Sequence, residues 1–322
     1  MPSPLKVAVL MGGPSAEHDI SLRSGQGVAD ALTRRGLTVQ LVTVPKAGGL
    51  DEAAAFVRRV LKPSGVDAVF IALHGAFGED GTVQSLCEEL GLAYTGSDAA
   101  TSRLGIDKVA CRKRFEEAGL TVPRGVEVSA APGRRLPMPE GFSCPVVVKP
   151  VSQGSSVGVS IVQRPEEWDA AVASAAPYGP RILVEEFIRG RELTVGVLGE
   201  EPLPIVEIRS SHPFFDYTAK YTAGLTDYLV PATLEPRVAS AVQAAGLAAH
   251  RALGCRHLSR TDLILDSQDR PVILEVNTIP GFTPTSLLPK AAACLRLSYE
   301  EVCERLVLMA VHSHESITTA HS

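Results

Sequence analysis

Residues 145–162 read PVVVKPVSQGSSVGVSIV. Two runs rich in valine flank the polar turn Ser152–Ser156, and this pattern predicts a β-hairpin. Small residues in the turn leave backbone N–H groups able to surround phosphate oxygens, and Lys149 adds a cation beside them. A flexible hairpin without a ligand is the alternative interpretation. The stretch lacks the G-x-x-x-x-G-K-[ST] spacing, which argues against a Walker-type nucleotide fold.

Two later strands carry a second set of polar residues. The runs Asp262–Leu265 and Val272–Val276 are otherwise apolar. Glu275 and Asn277 are two residues apart, so their side chains share one face of the sheet. Oxygen donors without imidazole or thiolate suit Mg²⁺ or Mn²⁺, whose remaining ligands often come from nucleotide phosphates. A solvated strand edge is the alternative, but unpaired carboxylates among apolar strands are costly to bury, so we predict a metal site at Asp262, Glu275 and Asn277.

The first hundred residues alternate apolar runs with amphipathic segments. Apolar runs occupy residues 6–11, 38–44 and 68–73. This βαβ rhythm predicts a parallel sheet covered by helices. Polar segments that follow the first and third runs lie where parallel sheets bind ligands, which makes Glu17 a candidate site residue. His74 begins the second of these segments, although a single histidine is more often a satisfied polar group than a catalyst.

Composition excludes several classes of protein. The 322 residues, 45% hydrophobic and 21% charged, describe an ordinary globular chain of about two domains. A net charge of -5 without a basic patch argues against nucleic-acid or membrane-surface partners. The six cysteines form no C-x-x-C pair, which favours free thiols in a reducing compartment. No apolar stretch near the start is long enough to span a bilayer and no signal peptide is evident, so we expect a cytoplasmic protein.

Eight segments, taken together and in order, resemble the D-alanine–D-alanine ligases of the ATP-grasp superfamily. The likeness runs from Gly12 to Leu288. It implies a fold that is α/β and α+β, with an ATP-grasp fold behind an N-terminal parallel α/β domain. The segments are GGPSAEHDIS at 12–21, HGAFGEDG at 74–81, YTGS at 94–97, KPVSQGSSVG at 149–158, GRELTV at 190–195, YTAKY at 217–221, RTD at 260–262 and EVNTIPG at 275–281.

The resemblance also implies a division of the chain. Residues 1–100 would form the substrate-side α/β domain, and residues 101–187 the central subdomain with the glycine-rich phosphate loop. Residues 188–322 would form the C-terminal subdomain, which contains the metal site and a mobile loop at 209–226. At the end of this subdomain, residues 312–322 are polar, and we expect them to fray.

The implied reaction is ATP-dependent formation of D-alanyl-D-alanine for peptidoglycan precursors. One D-alanine carboxylate attacks the γ-phosphate of ATP, and the amine of a second D-alanine captures the acyl phosphate, releasing ADP and phosphate. Asp262, Glu275 and Asn277 would hold two Mg²⁺ or Mn²⁺ ions that bridge the phosphates, because phosphoryl transfer depends on positioning and charge neutralisation. The resemblance further implies a homodimer.

Roles for single residues follow from the matched motifs. Glu17 would bind the ammonium of the first D-alanine and His74 would lie near its carboxylate, while Ser286 and the Leu287 backbone would hold the carboxylate of the second. Arg260 and the Gly281 N–H would stabilise the tetrahedral oxyanion. The implied nucleotide contacts are Lys108, Lys149, Ser155, Ser156, Val157 and Lys220 at the phosphates, and Glu185, Glu186, Ile188 and Glu192 at the adenine and ribose.

The second substrate is inferred from Tyr221. In the family this tyrosine bonds to Ser155 and Glu17, and ligases that make D-alanine–D-lactate lack it. Its presence favours an amine acceptor. One alternative function is that of another ATP-grasp carboxylate–amine or carboxylate–hydroxyl ligase. A second alternative is a non-catalytic nucleotide-binding module. The chain departs from the family pattern at His257 and Leu258, just before Arg260.

Overall fold

Three sheets follow one another along the chain in the computed structural model, which describes residues 4–130, 135–210 and 226–320. Within those ranges, every helix is too short or too polar to cross a bilayer. All six cysteines are free thiols, as their spacing indicated.

The first sheet is parallel, as the alternating pattern predicted, and its strand order is β2-β1-β3-β4. Successive residues of β1 face opposite layers: Val7 packs with α1, and Leu10 packs with α2 and α3. Helices therefore cover both faces, which explains why these strands are continuous apolar runs. The elements are β1 (Lys6–Gly12), α1 (His18–Arg34), β2 (Thr38–Val44), α2 (Gly49–Leu61), β3 (Ala68–Ile71), α3 (Thr82–Glu89) and β4 (Ala93–Tyr94).

The second sheet is antiparallel with the order β5-β8-β6-β7, and helix α6 covers one face through the buried Trp168. The predicted hairpin is confirmed, since Val146 pairs with Val162 across β6 and β7. Short 3-10 helices flank α6 at Pro165–Glu167 and Ala176–Tyr178. The elements of this part are α4 (Ala99–Ile106), α5 (Lys108–Glu117), β5 (Gly125–Ser129), β6 (Val146–Pro150), β7 (Ser160–Val162), α6 (Trp168–Ala175) and β8 (Arg181–Glu186).

The third sheet has the antiparallel order β12-β11-β9-β13-β14, and β10 pairs with β9. Helix α7 packs Val242 and Leu253 against Leu193 and Leu263 of this sheet. The elements are β9 (Gly190–Leu198), β10 (Glu201–Pro202), β11 (Val206–Ser210), β12 (Thr226–Leu229), α7 (Pro236–Leu253), β13 (Leu258–Asp266), β14 (Pro271–Asn277), α8 (Leu287–Cys294) and α9 (Tyr299–Ala320).

The closing helix α9 returns to the first sheet, where its Leu306 packs in one cluster with Val7. It continues to Ala320, so the expectation that residues 312–322 fray is wrong up to that point. Hydroxyl groups support the last turns, because Ser316 donates to the His312 carbonyl and Thr319 to the Glu315 carbonyl, each at 2.9 Å. Each sheet lies inside one of the three predicted segments, whereas α9 joins the core of the first; the division into three domains stays a prediction.

Candidate active site

Two neighbouring cavities are lined by adjacent residues of the glycine-rich turn and of strands β13 and β14. The α1 cavity has a volume of about 290 Å³ and lies against the start of α1. The lysine cavity, of about 420 Å³, lies between β6, β8 and β14. Candidate residues line the α1 cavity at Glu17, His74, Ser155, Arg260, Asn277, Gly281, Ser286 and Leu287, and the lysine cavity at Lys108, Lys149, Ser156, Glu185, Glu186, Ile188, Glu192, Asp262 and Glu275.

Strands β13 and β14 form the wall that the two cavities share. Arg260 and Asn277 are paired across the strands and line the α1 cavity, while the next outward-facing pair, Asp262 and Glu275, lines the lysine cavity. Arg260 donates to both oxygens of Asp262 at 2.8 Å. Guanidinium and carboxylate fix each other's orientation in such a bidentate ion pair. The position of Arg260 in the α1 cavity is therefore coupled to the position of Asp262 in the lysine cavity.

Hydrogen bonds already orient two of the candidate metal residues, Asp262 and Asn277. Asn277 Nδ2 donates to Asp262 Oδ2 at 3.0 Å, and Thr194 Oγ1 donates to Asp262 Oδ1 at 2.6 Å. Within the described residues no three His, Cys, Asp or Glu side chains converge on a metal position. The candidate donor set is therefore two carboxylates and one amide, which fits a hard divalent cation that takes further ligands from phosphates.

Two lysines enter the lysine cavity from different elements. Lys108 is the first residue of α5, where Asp107 caps the helix by accepting from the Val109 and Ala110 N–H groups. Its Nζ donates to the Gln153 carbonyl at 2.5 Å and lies 3.6 Å from Glu275 Oε2. The cap thus fixes the direction from which Lys108 reaches the glycine-rich turn.

Lys149 comes from the buried strand β6 and lies over a buried carboxylate. Its Nζ is 2.5 Å from Glu185 Oε2, and Arg112 donates to Glu185 Oε1 at 2.9 Å. Both oxygens of Glu185 are therefore engaged by cations while its side chain lines the lysine cavity, and its implied contact with the adenine stays a prediction. Among the other predicted adenine contacts, the Glu186 N–H is already donated to the Arg124 carbonyl at 2.9 Å, so Ile188 is the better backbone donor.

The glycine-rich turn separates the two cavities. Ser155 and Ser156 both have left-handed backbones, with φ of 52° and 57°. Ser155 lines the α1 cavity and donates to Glu17 Oε1 at 2.5 Å, whereas Ser156 lines the lysine cavity. Val157 is not among the described residues that line either cavity, and its expected contact with the phosphates stays a prediction. Its N–H closes the turn on the Gly154 carbonyl at 3.1 Å.

The α1 cavity is built from the first polar segments. Glu17 precedes α1, and a Cβ at Gly75 would lie 3.1 Å from Glu17 Oε2, so the glycine makes room for this carboxylate. His74 is buried, with Nε2 3.2 Å from Ser24 Oγ and Nδ1 3.5 Å from Glu79 Oε1. These contacts orient the ring towards the cavity that it lines.

The far side of the α1 cavity is the N-terminal end of α8. Ser286 precedes this helix, and its Oγ accepts from the Thr283 N–H at 2.9 Å. Gly281 lies close by, since a Cβ there would be 3.5 Å from Ser286 Oγ. A helix N-terminus with backbone N–H groups suits a carboxylate. Tyr228 also lines this cavity, and burial raises the pKa of its hydroxyl, which keeps the phenol protonated.

Lys220 and Tyr221 lie outside the described residues, as does most of the predicted loop 209–226. Sequence reasoning missed Arg112, Thr194 and Glu79; only Arg112 carried a signal, since it is one helical turn after Lys108.

The departure at His257 lies outside both cavities. The ring is buried, its Nδ1 accepts from the Gly96 N–H at 3.1 Å, and its Nε2 is 2.9 Å from Ser313 Oγ. The histidine therefore joins the end of the first sheet to α9. Burial, followed by the charge of Arg256, lowers its pKa to about 4.

Two antiparallel sheets that enclose a lysine-lined cavity, behind a parallel α/β domain, define this chain as an ATP-grasp protein, and solved structures support that class. It superimposes with a TM-score of 0.83 on the D-alanine–D-alanine ligase from Bacillus anthracis complexed with ATP, at 28% identity over 97% of this chain and 99% of that one. The D-Ala:D-Ser ligase VanG from Enterococcus faecalis gives a TM-score of 0.80 at 28% identity, over 95% and 99% of the two chains.

Sequence comparison defines the family more closely. The family model for the D-ala D-ala ligase C-terminus matches residues 126–308, and the model for the N-terminus matches residues 52–97. The D-alanine–D-alanine ligase of Desulforudis audaxviator is 46% identical over 95% of this chain and 98% of its own length. That of Anaeromyxobacter sp. is 45% identical over 94% of this chain and 96% of its own length. The chain belongs to the D-alanine–D-alanine ligase family.

Proposed function

We propose that this protein joins two D-alanine molecules to D-alanyl-D-alanine, consuming ATP and releasing ADP and phosphate. The observation that carries the proposal is the meeting of two cavities at one wall, with Arg260 on one side and Asp262 on the other. Because the two cavities adjoin at these residues, a phosphoryl group held in the lysine cavity would lie within reach of a carboxylate held in the α1 cavity. The family membership supports the same reaction.

On the nucleotide side, Lys108 and Lys149 would neutralise phosphate oxygens while the glycine-rich turn covers them. Excluding water matters here, because an acyl phosphate exposed to solvent hydrolyses. Ile188 and Glu192 would contact the adenine and ribose, and Glu185 would act through Lys149. Ser156 is better placed than Ser155 for phosphate contact, since only Ser156 lines the lysine cavity.

On the amino-acid side, Glu17 would hold the first ammonium, with His74 near the first carboxylate. The second carboxylate would bind at Ser286 and the Leu287 N–H, at the start of α8. The amine of the second D-alanine would then attack the acyl phosphate, losing a proton as the C–N bond forms and phosphate leaves. Arg260 and the Gly281 N–H would stabilise the oxyanion, each donor contributing about 3 kcal/mol.

Asp262, Glu275 and Asn277 would hold Mg²⁺ or Mn²⁺ at the junction of the cavities. Such ions would neutralise part of the negative charge on the phosphates. In the described structure Arg260 and Thr194 already orient Asp262. A homodimer, a cytoplasmic location and the absence of nucleic-acid and membrane partners remain predictions from the sequence and the resemblance.

ADP release coupled to a spectroscopic readout tests the function. With ATP and Mg²⁺, D-alanine should accelerate ADP release far above the background, and D-alanyl-D-alanine should appear in equal amount. D-serine, D-lactate and L-alanine, each offered in place of D-alanine, test the substrate. Equal rates with these compounds would contradict dipeptide ligation, and ATP binding without turnover would favour a non-catalytic nucleotide-binding module.

A further inference from the structure

A buried cluster of charges lies at the wall of the lysine cavity. Glu185 is 2% exposed and accepts from Lys149 through one oxygen and from Arg112 through the other. Arg112 is on α5, one turn after Lys108, and also donates to the Pro123 carbonyl. Helix α5 therefore places Lys108 in the cavity directly, and its Arg112 is connected to Lys149 through Glu185.

The backbone leaves room for this cluster. Gly125 is opposite Glu185 in the pairing of β5 with β8. A Cβ at Gly125 would lie 2.9 Å from Glu185 Cγ and 3.0 Å from Arg112 Nη1. The close approach brings guanidinium and carboxylate into contact over the strand, so the pair is part of the packed core and not a surface contact.

Charge balance gives the cluster a consequence for phosphate binding. A lysine paired alone with a buried carboxylate forms a neutral couple and attracts a phosphate weakly. Arg112 adds a second cation to the same carboxylate, and its second carboxylate partner, Glu116, has a side chain 54% exposed and is screened by water. Arg112, Glu185 and Lys149 therefore keep a net positive charge facing the lysine cavity.

We propose that Arg112 is a positioning residue for phosphate binding, acting through Glu185 to hold Lys149 in place and preserve its charge. The inference rests on the proposed function, because it assigns the lysine cavity to a nucleotide. Arg112 itself does not line the cavity in the described structure, so its effect on a ligand must pass through Glu185 and Lys149.

Calorimetric binding of ADP and of adenosine to the full chain, without D-alanine, tests the inference. Arg112→Met should weaken ADP binding about tenfold or more, as expected when a buried charge pair loses one partner. Adenosine binding should stay within about twofold, because adenosine has no phosphate. Arg112→Lys should fall between wild type and Arg112→Met. Glu116→Gln, the matched control, removes only the exposed contact of the same guanidinium and should leave ADP binding unchanged.

A double-mutant cycle separates positioning from general damage. In a Glu185→Gln background, Arg112→Lys should have little further effect on ADP binding, because the route to Lys149 is already interrupted. Equal losses of ADP and adenosine affinity, or an undiminished Arg112 effect in that background, would overturn the inference. If Arg112→Met does not fold, Arg112→Lys carries the same comparison. Wild-type protein that fails to bind ADP would instead contradict the proposed function.

Discussion

At the scale of single residues, the site depends on how each carboxylate is held. Asp262 accepts from Arg260, Asn277 and Thr194. Removing it would leave the Arg260 guanidinium without its bidentate partner. Glu275 is the more informative residue to change, because its side chain is 30% exposed and its pairing with Lys108 is long, at 3.6 Å. At Glu275 the loss of a metal ligand can therefore be measured separately from any loss of packing.

Glu275→Gln should lower turnover by about 100-fold, in line with the ~3 kcal/mol of one charge contact made in the transition state. The amide keeps the size of the side chain and removes the charge that a metal ion requires. Steady-state rates at saturating D-alanine over a range of Mg²⁺ concentrations measure the effect. Glu200→Gln is the control, since that carboxylate pairs with Arg251 at the exposed surface. Near wild-type turnover of Glu275→Gln at saturating Mg²⁺ would contradict the metal assignment.

At the scale of elements, the glycine-rich turn combines an unfavourable backbone with a functional hydrogen bond. Ser155 adopts φ of 52° although it has a Cβ, and its Oγ reaches Glu17 Oε1 on the other side of the α1 cavity. A left-handed residue other than glycine costs about 1 kcal/mol. The turn therefore keeps a serine where glycine would be easier to accommodate, which points to the hydroxyl contact.

Replacing Ser155 by glycine or by alanine separates these two contributions. Both variants lose the bond to Glu17, so both should raise the KM for D-alanine by roughly tenfold. Only alanine keeps the backbone strain, so Ser155→Ala should be less stable than Ser155→Gly by about 1 kcal/mol. Urea unfolding and D-alanine titrations of the two variants provide the comparison. A KM that changes in only one of them would show that the hydroxyl is not the shared cause.

At the scale of the whole molecule, α9 ties the end of the chain to the first sheet. Leu306 belongs to the same apolar cluster as Val7, and His257, just before β13, joins Gly96 to Ser313 of α9. The acceptor role of Nδ1 requires a neutral ring with its proton on Nε2. The departure from the family pattern is thus part of the packing between sheets.

Acid should weaken this tie. The pKa of His257 is lowered to about 4 by burial and by Arg256, below its ordinary value of 6.5, so the unfolded chain binds the proton more readily between these values. The stabilisation is complete above pH 6.5 and is lost as the pH falls towards 4, by roughly 3 kcal/mol in total.

His257→Asn should reduce that dependence, because asparagine does not titrate and tolerates the left-handed backbone at φ of 63°. Between pH 7 and pH 5, wild-type protein should lose about 2 kcal/mol more unfolding free energy than the variant. Urea unfolding at the two pH values measures the difference. His312→Gln, at an exposed histidine on α9, should behave as wild type; identical slopes for wild type and His257→Asn would refute the assignment. Burial also lowers the pKa of His250. Because none of these variants changes His250, its contribution to the pH dependence of the unfolding free energy is the same in all of them.

Much of the architecture could be predicted from local patterns. The apolar runs of β1 and β3, the hairpin at Val146–Val162 and the common face of Glu275 and Asn277 depend on side-chain period and turn chemistry within short segments. The same patterns indicated the polar segments that line the cavities. Extension of α9 to Ala320 was not predicted, because it depends on hydroxyl bonds to carbonyls four residues earlier and on packing against another sheet.

The sequence alone determined the family, the order of the sheets along the chain and the chemical types at the site, because motifs and periodicity are local properties. Which polar side chains contact each other depended on the tertiary structure. Arg112 and Glu185 are 73 residues apart, and His257 and Ser313 are 56 apart. Contacts of this kind depend on how helices and sheets pack, so no spacing in the sequence could indicate that one carboxylate would be shared between Arg112 and Lys149.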